Sequence, residues 1–205
     1  MSFGDDPEPA DLLGLARAGG GPDLGQLLEH YRGYLMLLAR VQVSRRLQDK
    51  VDAADLVQET FLEAHRTFGQ FRGSAEAEFV SWLRHLLASH VAMTVRRYCG
   101  TQRRNVRLER QLAEELDASS RALEPMVAAK QSSPSHQAVR REQAVLLAEA
   151  LARLPEDYRE TIILRHLEAL SFPEVARRMN RSVASVKNLW TRALALLRRS
   201  LGEMP

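Results

Sequence analysis

The sequence predicts an all-α protein of two helical domains joined by a flexible linker, with a helix-turn-helix in the second. Three observations carry that reading. Proline is absent from 23 to 124 and glycine from 101 to 201, so two long stretches lack the residues that interrupt helices. Apolar residues recur every three to four positions, as in Ala53, Leu56, Val57, Phe61, Ala64 and Phe68, and again in Phe79, Leu83, Leu86, Leu87 and Val91. No run alternates with the period of two that a half-buried strand requires.

Taken in order, these signals place helices at about 24–48, 52–68, 76–98, 103–116, 138–153, 156–168, 172–179 and 183–200. The start is an acidic tail, read as disordered over 1–11. Residues 12–116 form the first helical domain. Between 117 and 137 the chain turns to Ser119, Ser120, Pro125, Ser132, Ser133, Pro134 and Ser135 with little bulky apolar content, which reads as a linker. Residues 138–205 form the second domain, of a size near the lower end for independent folding.

The composition bounds the function. Cys99 is the only cysteine, so neither an intrachain disulfide nor a cysteine-based zinc site can form within one chain. The opening Met1-Ser-Phe-Gly-Asp-Asp is acidic where a signal peptide would be basic, and no stretch approaches the length of a membrane span, so a cytoplasmic protein with no membrane insertion is expected. The formal charge of +3 says little, but its distribution says more. Residues 176–202 carry seven basic groups and no acid. No cofactor is indicated, and neither a phosphate-binding glycine loop nor a metalloprotease or serine-hydrolase motif is present, so catalysis is not expected.

Within the second domain, Ser171-Phe-Pro-Glu174 has the form of a capping box with proline in the first turn. The short helix it starts ends near Met179-Asn180, and asparagine tolerates the left-handed conformation a tight turn needs. Ser182 can cap the next helix. There Val186, Trp190, Ala193 or Leu194, Leu197 and Leu201 share the inward side, turning Ser185, Lys187, Asn188, Thr191 and Arg192 outward. A short turn between two helices, the second with a basic exposed face, is the geometry that enters a major groove. Arg177, Arg178, Arg181, Arg198 and Arg199 would neutralise phosphates. The other reading is a helical hairpin with an ordinary solvated face.

The first domain offers two further features. Asp52, Asp55, Glu59 and Glu63 form an acidic ridge opposite an apolar stripe. A solvated face, a carboxylate metal cluster and a docking surface for a basic partner all fit it, although Glu63-Ala-His65 lacks the Glu-x-x-His offset of helical metal sites. Farther on, Arg96, Arg97, Arg103, Arg104, Arg107 and Arg110 face a single acid, Glu109, within 96–110. This basic patch follows Phe79 and Trp82, which are either core residues or stacking faces for single-stranded DNA.

The whole pattern carries a resemblance. Asp52-Ala-x-Asp55-Leu-Val-Gln-Glu59-x-Phe61-Leu, then Phe79-x-x-Trp82-Leu83 leading to Arg96-Arg97, then Leu154-Pro155 and Arg159 fall in a set order. Leu170-Ser-Phe-x-Glu174-Val-Ala176, Ser182-x-x-Ser185-Val-Lys187 and Arg192-Ala193 complete it. Over about residues 12–201 this resembles a two-domain sigma factor of the extracytoplasmic-function (ECF) type, in the bacterial sigma-70 family. The resemblance implies a promoter-recognition subunit whose partners are core RNA polymerase, through the clamp helices of its largest subunit, promoter DNA and an anti-sigma factor. It implies that Asp52, Asp55, Gln58 and Glu59 bind core polymerase. It places the loop at about 69–78 and the helix at 79–97 where the melted minus-ten strand is captured, with Arg96, Arg97, Arg103 and Arg104 as contacts. Arg181, Ser182, Ser185, Lys187, Asn188, Thr191 and Arg192 would read the minus-thirty-five element.

The sequence departs from the family at Ser89 and Met93, where Asn and Asp are common, and at Asn180 and Arg181, where a glycine and an aliphatic residue usually stand. Two other functions compete: a stand-alone helix-turn-helix transcriptional regulator, and a helical metalloenzyme motivated by the carboxylate ridge alone.

Overall fold

The computed structural model describes residues 8–19, 21–47, 51–99, 106–127 and 137–202. Among them every regular element is helical. The chain divides into two units, 1–114 and 115–205.

In the first unit α1 (Pro9–Arg17), α2 (Gly21–His30), α3 (Arg32–Arg46), α4 (Ala53–Thr67) and α5 (Glu76–Cys99) pack around Leu27, Leu28, Tyr31, Leu35, Leu38, Phe79, Leu83 and Leu87, all fully buried. Two boundaries differ from the sequence reading. Although no helix is expected before about residue 24, α1 starts at Pro9 within the last residues of the expected tail and buries Leu12, Leu13 and Ala16 of the expected first domain; residues 1–7 lie outside the described residues. The single helix expected over 24–48 is broken at Tyr31, whose backbone leaves helical geometry at φ −92° and ψ 1°. The buried Tyr31 ring lies 5.9 Å from Phe79, and its hydroxyl donates to Glu76 at 2.6 Å. Arg32 forks to Glu29 across the break at 2.5 and 2.6 Å and lies over the Phe61 ring of α4. Tertiary contacts at the tyrosine therefore override a local sequence that has no proline to stop it.

The third difference is at α6 (Val106–Val127), which runs through much of the expected linker. Leu112, Leu116, Ser119 and Ser120 are buried at i, i+4, i+7 and i+8, so the serines continue one buried stripe instead of marking a loop. Serine signals a turn only when its backbone has no helix to join, and here it is small enough to pack inside one. The rest of the expected linker, 128–136, lies outside the described residues.

In the second unit α7 (Gln137–Arg153), α8 (Glu156–Ile162), α9 (Phe172–Arg178) and α10 (Val183–Gly202) share a core. The helix expected over 156–168 widens into a π turn at Ile163–Leu167, where the Glu168 amide donates to the Ile163 carbonyl. It closes on Ala169, which takes a left-handed φ of 57°, with the Leu170 amide on the Leu164 carbonyl. Leu164, Val175, Ala176 and Val186 then form a buried cluster against which Leu170, Phe172 and Met179 pack. No helix among the described residues is long and apolar enough to cross a membrane.

Candidate nucleic-acid and protein interfaces

The two helices of the hairpin are held by local chemistry. Glu174 accepts from the amide of Ser171 at 2.7 Å and from its hydroxyl at 2.6 Å, closing the capping box. Those bonds favour the charged carboxylate and hold its pKa below the usual value. Asn180 adopts a φ of 51°, and the Arg181 amide returns to the Ala176 carbonyl at 2.9 Å. Ser182 caps α10, accepting from the Ser185 amide at 3.1 Å. Val186, Ala193 and Leu197 face inward and are buried, while Lys187, Asn188, Thr191, Arg192, Arg198 and Arg199 are exposed along the opposite side.

Three of the expected DNA-facing residues have a prior engagement. Arg181 is ion-paired with Asp157 at 2.6 Å, so its charge is offset at the surface. Lys187 Nζ lies 5.8 Å from the Phe172 ring centroid, a ring that Arg165 also covers at 5.1 Å. The Thr191 hydroxyl donates to the Lys187 carbonyl at 3.0 Å, which leaves its oxygen to accept. A fourth contact had no sequence signal. Trp190 Nε1 donates to His166 Nε2 at 2.9 Å with the two rings nearly parallel, 16° apart, fixing α10 to the π turn. Burial holds the His166 pKa below 6.5, with Arg165 acting in the same direction, so the ring is the neutral acceptor this bond requires.

In the first unit, Asp55, Gln58 and Glu59 are exposed on α4 while Leu56, Val57, Thr60 and Phe61 are buried behind them. Asp52, also exposed, is the cap of this helix: its Oδ1 accepts from the Ala54 amide at 2.8 Å. Glu63 is half-buried beside Arg66. Leu62 stands 48% exposed next to the ridge, adding one apolar side chain to this outer face of α4. Among the described residues no group of three or more His, Cys, Asp or Glu side chains is placed to hold a metal ion.

The basic patch is divided. Arg97 is exposed, but Arg96 is ion-paired with Glu109 at 3.1 Å, and both side chains are about four-fifths covered. That pair ties α5 to α6 and leaves Arg96 presenting less charge to solvent than Arg97. Arg103 and Arg104 lie outside the described residues. Ser89 and Met93 are both exposed on α5, four residues apart and followed at the same spacing by Arg97. Of the two aromatics, Phe79 is core. Trp82 is half-buried and belongs to a cluster in which Phe71 lies 5.1 Å away and Phe68 6.3 Å away.

Comparison with known proteins gives these surfaces a frame. Residues 29–100 match the family model for Sigma-70 region 2, and residues 144–197 that for Sigma-70 region 4. The ECF RNA polymerase sigma factor BldN of Streptomyces coelicolor is 29% identical over 203 residues, 97% of this chain and 68% of that protein. The ECF RNA polymerase sigma-E factor of Escherichia coli K12 is 31% identical over 144 residues, 69% of this chain and 70% of that protein. Among solved structures, a chain of the RsbN–BldN complex is 26% identical and covers 91% of this chain and 97% of its own length, with a TM-score of 0.31. The α4 ridge and α5 fall inside the region 2 match and the α9–α10 hairpin inside the region 4 match, so the chain belongs to the ECF sigma factors of the sigma-70 family, promoter-specificity subunits of RNA polymerase.

Proposed function

We propose that this sigma factor docks on core RNA polymerase through Asp52, Asp55, Gln58 and Glu59, and reads the minus-thirty-five duplex through the outer face of α10. The observation that carries the reading is the α10 face itself. Lys187 and Asn188 stand outward in the second turn of a capped helix, with Thr191 and Arg192 one turn further along the same face, within a stretch of seven basic groups and no acid. Asn188 and Lys187 have the reach and donors for base edges, while Arg192, Arg198 and Arg199 suit phosphates. Ser182 and Ser185 sit where the helix amino terminus would meet the backbone. Arg181, tied to Asp157, contributes less than the others.

For the minus-ten element, the loop after α4 and the outward side of α5 take the melted strand, with Arg97 and Arg72 supplying charge and Trp82 and Phe71 an aromatic surface. The chain works in the cytoplasm without chemistry of its own. An anti-sigma partner covers these faces when the factor is silent, a reading tested by recovering a stoichiometric companion from native cells.

The deciding experiment mixes the purified chain with core polymerase on gel filtration and then assays run-off transcription on genomic DNA. Co-elution and discrete start sites are expected. Tight duplex binding without polymerase association would instead favour a stand-alone regulator, a reading to which the region 2 match gives no role.

A further inference from the structure

The loop between α4 and α5 is built more tightly than a passive connection needs. Phe68–Gln70 forms a single 3-10 turn, closed by the Phe71 amide on the Phe68 carbonyl at 2.9 Å. Phe71 then turns its half-buried ring onto Trp82 and Phe79, at 5.1 and 5.7 Å between centroids. Gly73 passes directly across that ring. A Cβ on Gly73 would come within 2.7 Å of Phe71 Cε2 on one side and 2.8 Å of Glu78 Cβ on the other, distances that real side chains do not tolerate. Only a residue without a side chain fits between them.

Glu78 closes the loop from the other end. Its Oε2 accepts from the Ser74 amide at 2.8 Å and the Ala75 amide at 3.0 Å, two donors that the start of α5 would otherwise leave unpaired. Those two amides hold the carboxyl below its usual pKa, so the clasp is ionised in neutral solution. Between the aromatic floor and this carboxylate, Arg72 is exposed on a backbone fixed at both sides.

We propose that Gly73 and Glu78 are positioning residues for minus-ten recognition: they hold the Arg72–Ser74 loop in its DNA-receiving shape before the strand arrives. The inference rests on the proposed role of this loop in strand capture. A loop ordered in advance loses little conformational freedom when it binds, so the clasp sets how much of the protein is ready to receive DNA.

The test uses the full chain with core polymerase. A template library randomised across the minus-ten segment is placed in a promoter identified by run-off transcription. Glu78→Ala and Gly73→Ala should initiate roughly fivefold less well and show a flattened minus-ten base preference, the scale of a lost helix cap. Core association and minus-thirty-five duplex binding should be unchanged. Glu78→Gln, whose amide oxygen still accepts from both backbone donors, should restore the wild-type preference. Wild-type preference in both alanine variants would overturn the proposal, as would a Glu78→Gln variant as poor as Glu78→Ala. A photo-crosslinking amino acid at position 72 reports the underlying reading separately. Failure to crosslink to the minus-ten strand would remove the capture role itself, whereas crosslinking with inert variants would remove only the positioning role.

Discussion

Helices α4 and α10 each bury one stripe and expose a charged one, yet the two charged faces differ in their relation to the fold. On α4 the acids sit at the amino end: Asp52 caps the helix and Asp55 lies in its first turn, where the helix dipole favours negative charge. Part of that ridge is explained by helix stability alone. On α10 the cap is the neutral Ser182, no acid occupies the first turn, and Lys187 stands one turn further on, where the dipole gives it no help. Charge that agrees with the dipole has two explanations, whereas an amino terminus left positive has one fewer, and α10 is the more informative surface for that reason.

Substitutions can break this comparison, and the largest effect is expected on α10. Lys187→Ala with Arg192→Ala removes two contacts of about 1–3 kcal/mol each, so promoter affinity should fall roughly a hundredfold while core association holds. Fluorescence anisotropy on a promoter duplex at two salt concentrations would check it, with a shallower salt slope for the variant.

Reversing Asp55 and Glu59 to lysine should weaken polymerase association roughly tenfold, since charges at an interface rim act through complementarity. Both side chains are exposed, but Asp55 lies in the first turn of α4, so the double reversal should also cost about 0.5–1 kcal/mol of stability and lower the melt slightly. Asp52→Ala should behave differently. Loss of the cap is expected to cost about 1 kcal/mol of stability in the first unit, seen as an earlier melt whether or not polymerase is present.

Ser182→Asp sharpens the contrast further. An anionic cap should stabilise α10 by about 0.3–1 kcal/mol while weakening DNA binding, so melting and affinity should move in opposite directions. A parallel change in both would mean the amino end of α10 does not face phosphate.

The smallest effect concerns pH. Trp190 donates to His166 Nε2, and burial keeps the ring's folded pKa below 6.5. The unfolded chain takes up the proton near the ordinary value and the native state resists it, so the stabilising contribution is complete above that value. It is lost as pH falls from there toward the folded pKa. Circular-dichroism melts at about pH 7.5 and 5.5 should show this destabilisation, reduced in His166→Gln. Some of it should remain, because burial lowers the His90 pKa in the same direction, with Glu59 and Glu63 opposing.

Much of the hairpin was legible beforehand because its determinants are local. Ser171 and Glu174 are three residues apart, Asn180 provides its own left-handed turn, and Ser182 caps its neighbour. The acidic ridge was legible for the same reason, as a stripe on one helix. Less was legible where partners are remote. Arg181 finds Asp157 across 24 residues, Arg96 finds Glu109 across 13, and Tyr31 finds Glu76 across 45. The Tyr31 bond accompanies a helix boundary the local pattern does not show, and the two arginine pairs are partners that no local spacing announces. Ser119 and Ser120 misled in another way, since their turn-forming chemistry carries no information about whether a buried stripe continues through them.

The sequence by itself determined that this chain is helical throughout its described parts, that a capped hairpin presents a basic face, and that an acidic ridge stands opposite an apolar one. Proline and glycine placement, helical periodicity and capping act within a few residues, so they are written in order along the chain. Only the tertiary structure decided which arginines remain open to a partner, where α2 gives way to α3, and how Phe71, Gly73 and Glu78 fix the loop before α5. Those outcomes depend on side chains that meet after the helices pack, and a one-dimensional pattern does not record such distances.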